Sequence, residues 1–280
     1  MRVPLAGGTQ ETLLSEVGPV LLPFFTTRDA CALRLVCREF LAAVREHPWE
    51  DRRTAIRGSI AAWRACFPRA RCANVGNNPF LGVETRRARV YDADFVHLAG
   101  LRELNMASCV SVTDAAFVHL RGIHSLEMFC CVRITDAAFV HLAGIQRLGM
   151  AHCQSITDAA FVHLRGIQLL NIGHCRQLTD AAFVHLRGIK ALFMRCCDQP
   201  AITDAAFVHL RGIRTLLLDH CAQATITGAS FSSLAGIEAL SPYDCSAETV
   251  AAARALGLPV PPKGLGGFAC AHFPWPKAPW

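Results

Sequence analysis

One phrase recurs through residues 92–250 at a nearly fixed pitch. In its fullest copies it reads TDAAFVHLRGI-x-x-L-x-M-x-x-C, and DAAFVHL returns letter for letter from residues 114, 136, 158, 180 and 204. The phenylalanines that mark the copies are Phe95, Phe117, Phe139, Phe161, Phe183, Phe207 and Phe231, so the pitch is 22 residues four times and then 24 twice. Self-similarity at such a period demands a stack of like units instead of one closed core.

The internal spacing says what each unit is. In residues 114–135 the large apolar residues are Phe117, Leu120, Ile123, Leu126, Met128, Cys131 and Ile134. The step of two from Leu126 to Met128 is strand alternation, and the steps of three before it suit a helical turn. Thr113 and Asp114 are placed to cap the helix, Gly122 to end it in the left-handed conformation, and Arg121 to complement the negative helix end. A unit of 22 residues cannot bury its own apolar side, so copies stack and their strands form a parallel sheet. The fold class expected is α/β, a leucine-rich-repeat solenoid of seven repeats, each a parallel strand plus a short helix.

DAAFVHL hardly changes, whereas the solvent-facing positions of the strand and the turn after it differ almost every time. Glu103, Asn105, Ala107 and Ser108 in the first copy become Ser125, Glu127, Phe129 and Cys130 in the second. A fixed convex face with a diversified concave one reads as a recognition surface for a target protein. Drift at positions where packing is indifferent is the plainer alternative. The residues assigned to target binding are Glu103, Asn105, Glu127, Phe129, Arg147, His152, Asn171, His174, Phe193, Arg195, Leu217, Asp219 and His220. Strands about 4.8 Å apart with four outward residues each give a face on the order of 400 Å². A standard interface takes about 800 Å² per partner, so the target is expected also to touch a rim or the tail aromatics Phe268, Phe273, Trp275 and Trp280.

Catalytic and metal readings fare less well. Seven of the 14 cysteines, from Cys109 to Cys245, fall fourteen residues after a marker phenylalanine, where a thiol acts as a small buried hydrophobe with a weak donor. Neighbours in an extended segment point to opposite faces, so in His152-Cys153, His174-Cys175 and His220-Cys221 imidazole and thiol do not form a dyad. There is no CxxC pair. The repeat histidines, such as His119 and His141, are read as a solvated ladder. No catalytic residue, metal or cofactor is assigned, and the chain is read as non-enzymatic.

The formal charge of +6 lies largely in arginines at the helix ends and across residues 51–91. With two tyrosines and no basic-aromatic interleaving, nucleic acid is disfavoured as a partner. The longest apolar run, Val17 to Phe25, carries two prolines and is too short to span a bilayer, so no membrane association and an intracellular site, cytoplasm or nucleus, are expected.

Residues 13–50 read as a small helical unit, with helices expected at 20–25, 28–35 (Thr27 as cap) and 36–46. About forty residues rarely make an independent core, so apolar surface should remain exposed or cap the solenoid. The segment resembles an F-box: Leu21 and Phe25 match its early apolar pair, Asp29 its loop, Leu33, Val36, Cys37, Arg38 and Phe40 its third helix, and Trp49 its final Trp. It departs at Leu13-Leu14, Pro19, Pro23 and Ala30. The repeats resemble the cysteine-containing leucine-rich class that commonly follows an F-box.

The resemblance implies a substrate receptor of a cullin-RING ubiquitin ligase, with the F-box docked on a Skp-type adaptor and cullin. The residues given to the adaptor are Leu14, Val17, Leu21, Leu22, Phe25, Leu33, Val36 and Phe40, divided between core and surface, with Leu14, Val17 and Leu22 read as surface contacts. A stand-alone interaction scaffold is the alternative. Residues 51–91 are read as linker and degenerate amino-terminal cap with a helix at 59–67, and residues 251–280 as the end of a closing helix and a Pro/Gly-rich tail.

Overall fold

A computed structural model describes residues 21–35, 38–52, 54–76 and 89–257. The assignments to Leu14, Val17 and Val36 and to the tail aromatics lie outside the described residues.

The repeats form a leucine-rich-repeat solenoid around one parallel eight-stranded sheet in sequence order: β1 (Cys72–Asn74), β2 (Glu103–Asn105), β3 (Ser125–Glu127), β4 (Arg147–Gly149), β5 (Leu169–Asn171), β6 (Ala191–Phe193), β7 (Thr215–Leu217) and β8 (Ala239–Ser241). The repeats supply seven of these strands, while β1 comes from the cap and pairs Asn74 with Asn105. Register runs without slippage, so that Leu104, Leu126, Leu148, Leu170, Leu192, Leu216 and Leu240 stand in one inward column.

The outer wall is built from single turns, mostly 3-10, such as Asp114–Leu120 and Asp136–Leu142, with one-turn α-helices at Asp180–Phe183 and Asp204–Phe207. With three residues per turn, Phe117 and Leu120 fall on one side and are buried, while Val118 and His119 stay outside. The repeat histidines are half-buried and the valines beside them are 40–55% exposed, so the ladder that meets solvent most fully is valine, not histidine.

Two bonding ladders join the coils. Thr135 Oγ1 caps its own helix by accepting from Ala137 N. The aspartate works across the gap: Asp114 accepts from Thr135 N at 2.8 Å and from Thr135 Oγ1 at 2.6 Å, and the same pairing recurs from Asp92–Thr113 to Asp204–Thr227. Inside, each marker cysteine donates to a carbonyl of the preceding coil, Cys131 to Met106 O, Cys153 to Met128 O and Cys175 to Met150 O, all at 3.2 Å. The extra two residues of the long copies fall between Cys197 and Thr203 and between Cys221 and Thr227, at the edge beyond the strands, and leave the sheet register intact.

The amino-terminal module comprises a 3-10 turn (Leu22–Phe24), α1 (Thr27–Leu33) and α2 (Arg38–Glu46), with α3 (Ile60–Cys66) following. The cap of α1 is Thr26, not Thr27: Thr26 and Asp29 form a reciprocal capping box. Thr27 instead donates through its backbone N and Oγ1 to Asp51, tying α1 to the segment after α2. Leu22, Ala30, Val44, Trp49, Phe67 and Ala70 form the module's small core, where Trp49 donates to Val44 O at 2.7 Å. Trp49 O in turn accepts from Arg71 N, and Ile60 of α3 enters the solenoid core, so module and first coil are continuous.

Candidate protein-interaction surface

The outward side of the sheet is carried by the first and third residues of each strand and by two residues of the turn that follows. Backbone bonding continues past the assigned strands, Met106 N to Glu127 O at 2.8 Å and His152 N to Gly173 O at 2.9 Å, so the turn positions are held as firmly as the strand. The residue before each marker cysteine is left-handed: Ser108, Cys130, His152, His174, Cys196, His220 and Asp244 have φ between 54° and 62°. The segment there is not extended, because the chain must turn to bring the thiol inward. Imidazole and thiol are separated all the same, since Cys153 is buried on Met128 O and His152 lies outside.

At the amino-terminal end the face is polar. Arg52 Nη2 meets Glu103 Oε1 at 2.6 Å. Burial pulls the Arg147 guanidinium below its ordinary range, opposed by the charge of Glu103. Glu127 accepts from Phe129 N at 3.1 Å, and its carboxylate lies over Gly149, filling the space that a side chain there would take. Gly149 is thus small because Glu127 is folded across it.

The middle of the face is apolar. Leu169, Ala191, Phe193 and Leu217 form a cluster separate from the core, with Phe193 only 5% exposed. Beyond it Arg195 Nη2 pairs with Asp219 Oδ2 at 2.8 Å, and Asp219 also accepts from Ser241 Oγ. Along the turn edge, Phe129 meets the His152 ring edge-on at 5.0 Å, and His220 Nδ1 lies 3.0 Å from Asp244 Oδ2.

Of the thirteen residues assigned to target binding, Glu103, Phe193, Leu217 and Asp219 are buried, contrary to their reading as solvent-facing positions. Strands about 4.8 Å apart let a side chain be covered by its neighbours in adjacent coils. Asn105, Glu127, Phe129, Arg147, His152, Asn171, His174, Arg195 and His220 remain partly accessible. The apolar floor was missed as a unit. Its signal was the run of apolar residues at corresponding positions, Leu169 with Ala191 and Phe193 with Leu217.

The second surface lies on the amino-terminal module. Phe24 is 83% exposed, and Leu21, Phe25, Leu35 and Leu41 are exposed as well. Leu22, expected at the surface, is 4% exposed and belongs to the module core. The 3-10 turn points Leu22 inward and leaves the residues on either side of it outside. Leu33 and Phe40 are partly buried.

Among the described residues no three His, Cys, Asp or Glu gather closely enough to hold a metal ion. No helix among them is long and apolar enough to cross a membrane. No protein-family profile matches the chain, and comparison with curated proteins gives no match. Solved structures with a similar path include the TLR13–ssRNA13 complex, at 16% identity and TM-score 0.47 over 67% of this chain and 30% of that one. A chain of the Toll–Spatzle complex of Drosophila is 14% identical with TM-score 0.48, over 71% of this chain and 30% of that one. A chain of the yeast Rad7–Elc1 complex is 12% identical with TM-score 0.30, over 84% of each. The present chain spans only about a third of the length of the first two of these matched chains.

Proposed function

We propose that this chain is a non-catalytic substrate receptor of a cullin-RING ubiquitin ligase. In this reading the amino-terminal module docks on a Skp-type adaptor while the concave face holds a target protein. The observation that carries it is the pairing of a module that has its own small core with large apolar side chains left outside that core, Phe24 and Leu35 above all. Exposed apolar residues of this size on a compact unit favour a protein-docking role. The mechanism is positional: holding a target beside the conjugating machinery raises its effective concentration, and this chain makes and breaks no bond.

The test is co-purification with a Skp-type adaptor and cullin. A Phe24→Ser, Leu35→Ser double variant is expected to weaken adaptor capture roughly thirty-fold or more, the scale of losing an interface hot spot, while target capture persists. A wild-type chain that captures no Skp-type adaptor defeats the ligase reading. One observation favours a second reading, a stand-alone interaction scaffold: Ile60 sits in the solenoid core and Trp63 packs against both cores, so the helical segment already serves as a cap.

A further inference from the structure

We infer that the edge of the solenoid at which the strands begin is a docking track for an extended, acidic segment of a protein partner. The inference rests on the receptor reading and deepens it, because it names a contact for the target outside the concave face. Six cations define the track: Arg102, Arg121, Arg165, Arg187, Lys190 and Arg211.

They form two rows that the fold holds in place. Arg121 and Arg165 have φ, ψ near −56°, 130°, and the glycines after them have φ of 80° and 84°. That is the backbone of a type II turn with arginine at its tip, and these arginines, with Arg187 and Arg211 in the same place, are exposed. The second row is the residue before each strand, fixed by a backbone ladder: His124 N donates to Arg102 O, Lys190 N to Gln168 O and Arg214 N to Lys190 O, each at 2.9 Å. Both rows stand on one edge, since every coil passes from its helix through a turn closed by glycine, with Arg before that glycine in four copies and Ala in three, directly into its strand.

The track's cations stand apart from acidic side chains, and the one acid of the second row, Glu238, pairs with Arg214 outside the six. Among the described residues none of the six cations has a carboxylate within 4.0 Å. The repeat aspartates lie at the opposite edge, each bonded to the next coil's threonine. Complementing the negative helix ends would account for the turn arginines alone. It does not account for Arg102 and Lys190, which precede strands.

From the coil of Arg102 to that of Arg211 the track covers five steps of about 4.8 Å, roughly 24 Å. An extended peptide presents side chains on one side every ~6.6 Å, so about four alternate acidic residues fit along it. Arginine forks pair two-pronged with carboxylates. The two rows carry no Phe, Tyr or Trp on which a base could stack, which favours an acidic peptide over a single-stranded nucleic acid.

The test uses the full chain and a fluorescein-labelled peptide of about nine alternating Glu and Gly residues, followed by anisotropy at low and physiological salt. The expected result is binding that weakens with salt and falls roughly tenfold or more in an Arg165→Glu, Arg187→Glu, Arg211→Glu variant. An Arg133→Glu, Arg176→Glu variant, altered at the opposite edge, should bind as the wild type does. Circular dichroism reports folding, and if the triple Glu variant unfolds, the triple Gln variant is read instead, with a smaller loss expected. Equal loss in both edge variants, no binding at low salt, or preference for an oligothymidylate of equal charge would each overturn the proposal. None of these readouts involves an adaptor, so failure of adaptor capture sinks the ligase reading alone, and failure of peptide binding sinks the track alone.

Discussion

His174 lies flat on His152, the ring centroids 3.8 Å apart and the planes 21° from parallel. Burial pulls both imidazoles down in pKa. For His174 the positive charges of His152, Arg176 and His220 add to burial against the weaker pull of Asp198, taking it to about 4. An unfolded histidine titrates near 6.5, so below that pH protons bind the unfolded chain more readily. The stabilisation is present in full above about pH 6.5 and is lost as pH falls from there to about 4. Partial exposure of the pair keeps the loss modest. Thermal melts between pH 7 and 4 should show this slope, and His174→Asn should flatten it, because asparagine accepts the left-handed backbone at that position. A variant with an unaltered slope would exclude the stack as its source.

The joints between coils are testable one at a time. Asp136 accepts from Thr157 N at 2.8 Å and from Thr157 Oγ1 at 2.6 Å. Asp136→Ala removes both bonds and leaves a part-buried amide without its acceptor, at a cost of about 1–3 kcal/mol. Denaturant titration of this variant beside Ala137→Ser, an exposed neighbour, measures the difference. A loss no larger than the control's would mean that water replaces the carboxylate there.

Buried thiols should be inert. Burial raises the Cys175 thiol to about 12, and Cys153 is pushed up by the same cause. Since the thiolate is the nucleophile, iodoacetamide at pH 8 should label exposed Cys31 and spare both until the chain is denatured. Mass mapping of the adducts decides it. Cys153→Ala should cost about 0.5–1.5 kcal/mol, the net worth of one hydrogen bond, because Met128 O keeps the bond from Cys131 N.

Leu22 and Phe24 should behave oppositely. Leu22→Ala empties a site in the module core and should cost about 2–4 kcal/mol. Phe24→Ala, at an exposed position, should change stability by less than about 0.5 kcal/mol. Protease sensitivity of residues 21–50 separates the two, and equal effects would show that Phe24 also supports the fold.

Much of this fold is legible in the repeat itself. The period, the apolar steps and the Thr, Asp and Gly at coil boundaries specify a helix, a strand and a turn, and stacking follows because one coil cannot bury its own side. What could not be read is set between coils. Asp114 looks like a cap for its own helix, yet it serves the next coil's Thr135, a role visible only once coils are stacked. Phe193 and Leu217 look outward by alternation and are outward, but the neighbouring strands cover them. The left-handed residue before each cysteine carries a weak signal in its letters, since His and Asp tolerate that backbone better than most residues, whereas Cys130 and Cys196 do not advertise it. In the module, adjacent Leu21 and Leu22 are the same residue type, and only the turn geometry decides which is core.

The aspartate that one coil offers to the threonine of the next makes every coil a plug at one side and a socket at the other, written in the same letters each time. A duplicated coil inserted between any two 22-residue neighbours would meet a matching partner on both sides without a compensating change. Such a chain can lengthen by copying and still fold at once, leaving the outward letters of the new coil free to diverge. The joint that holds the molecule together is also what lets it acquire new specificities.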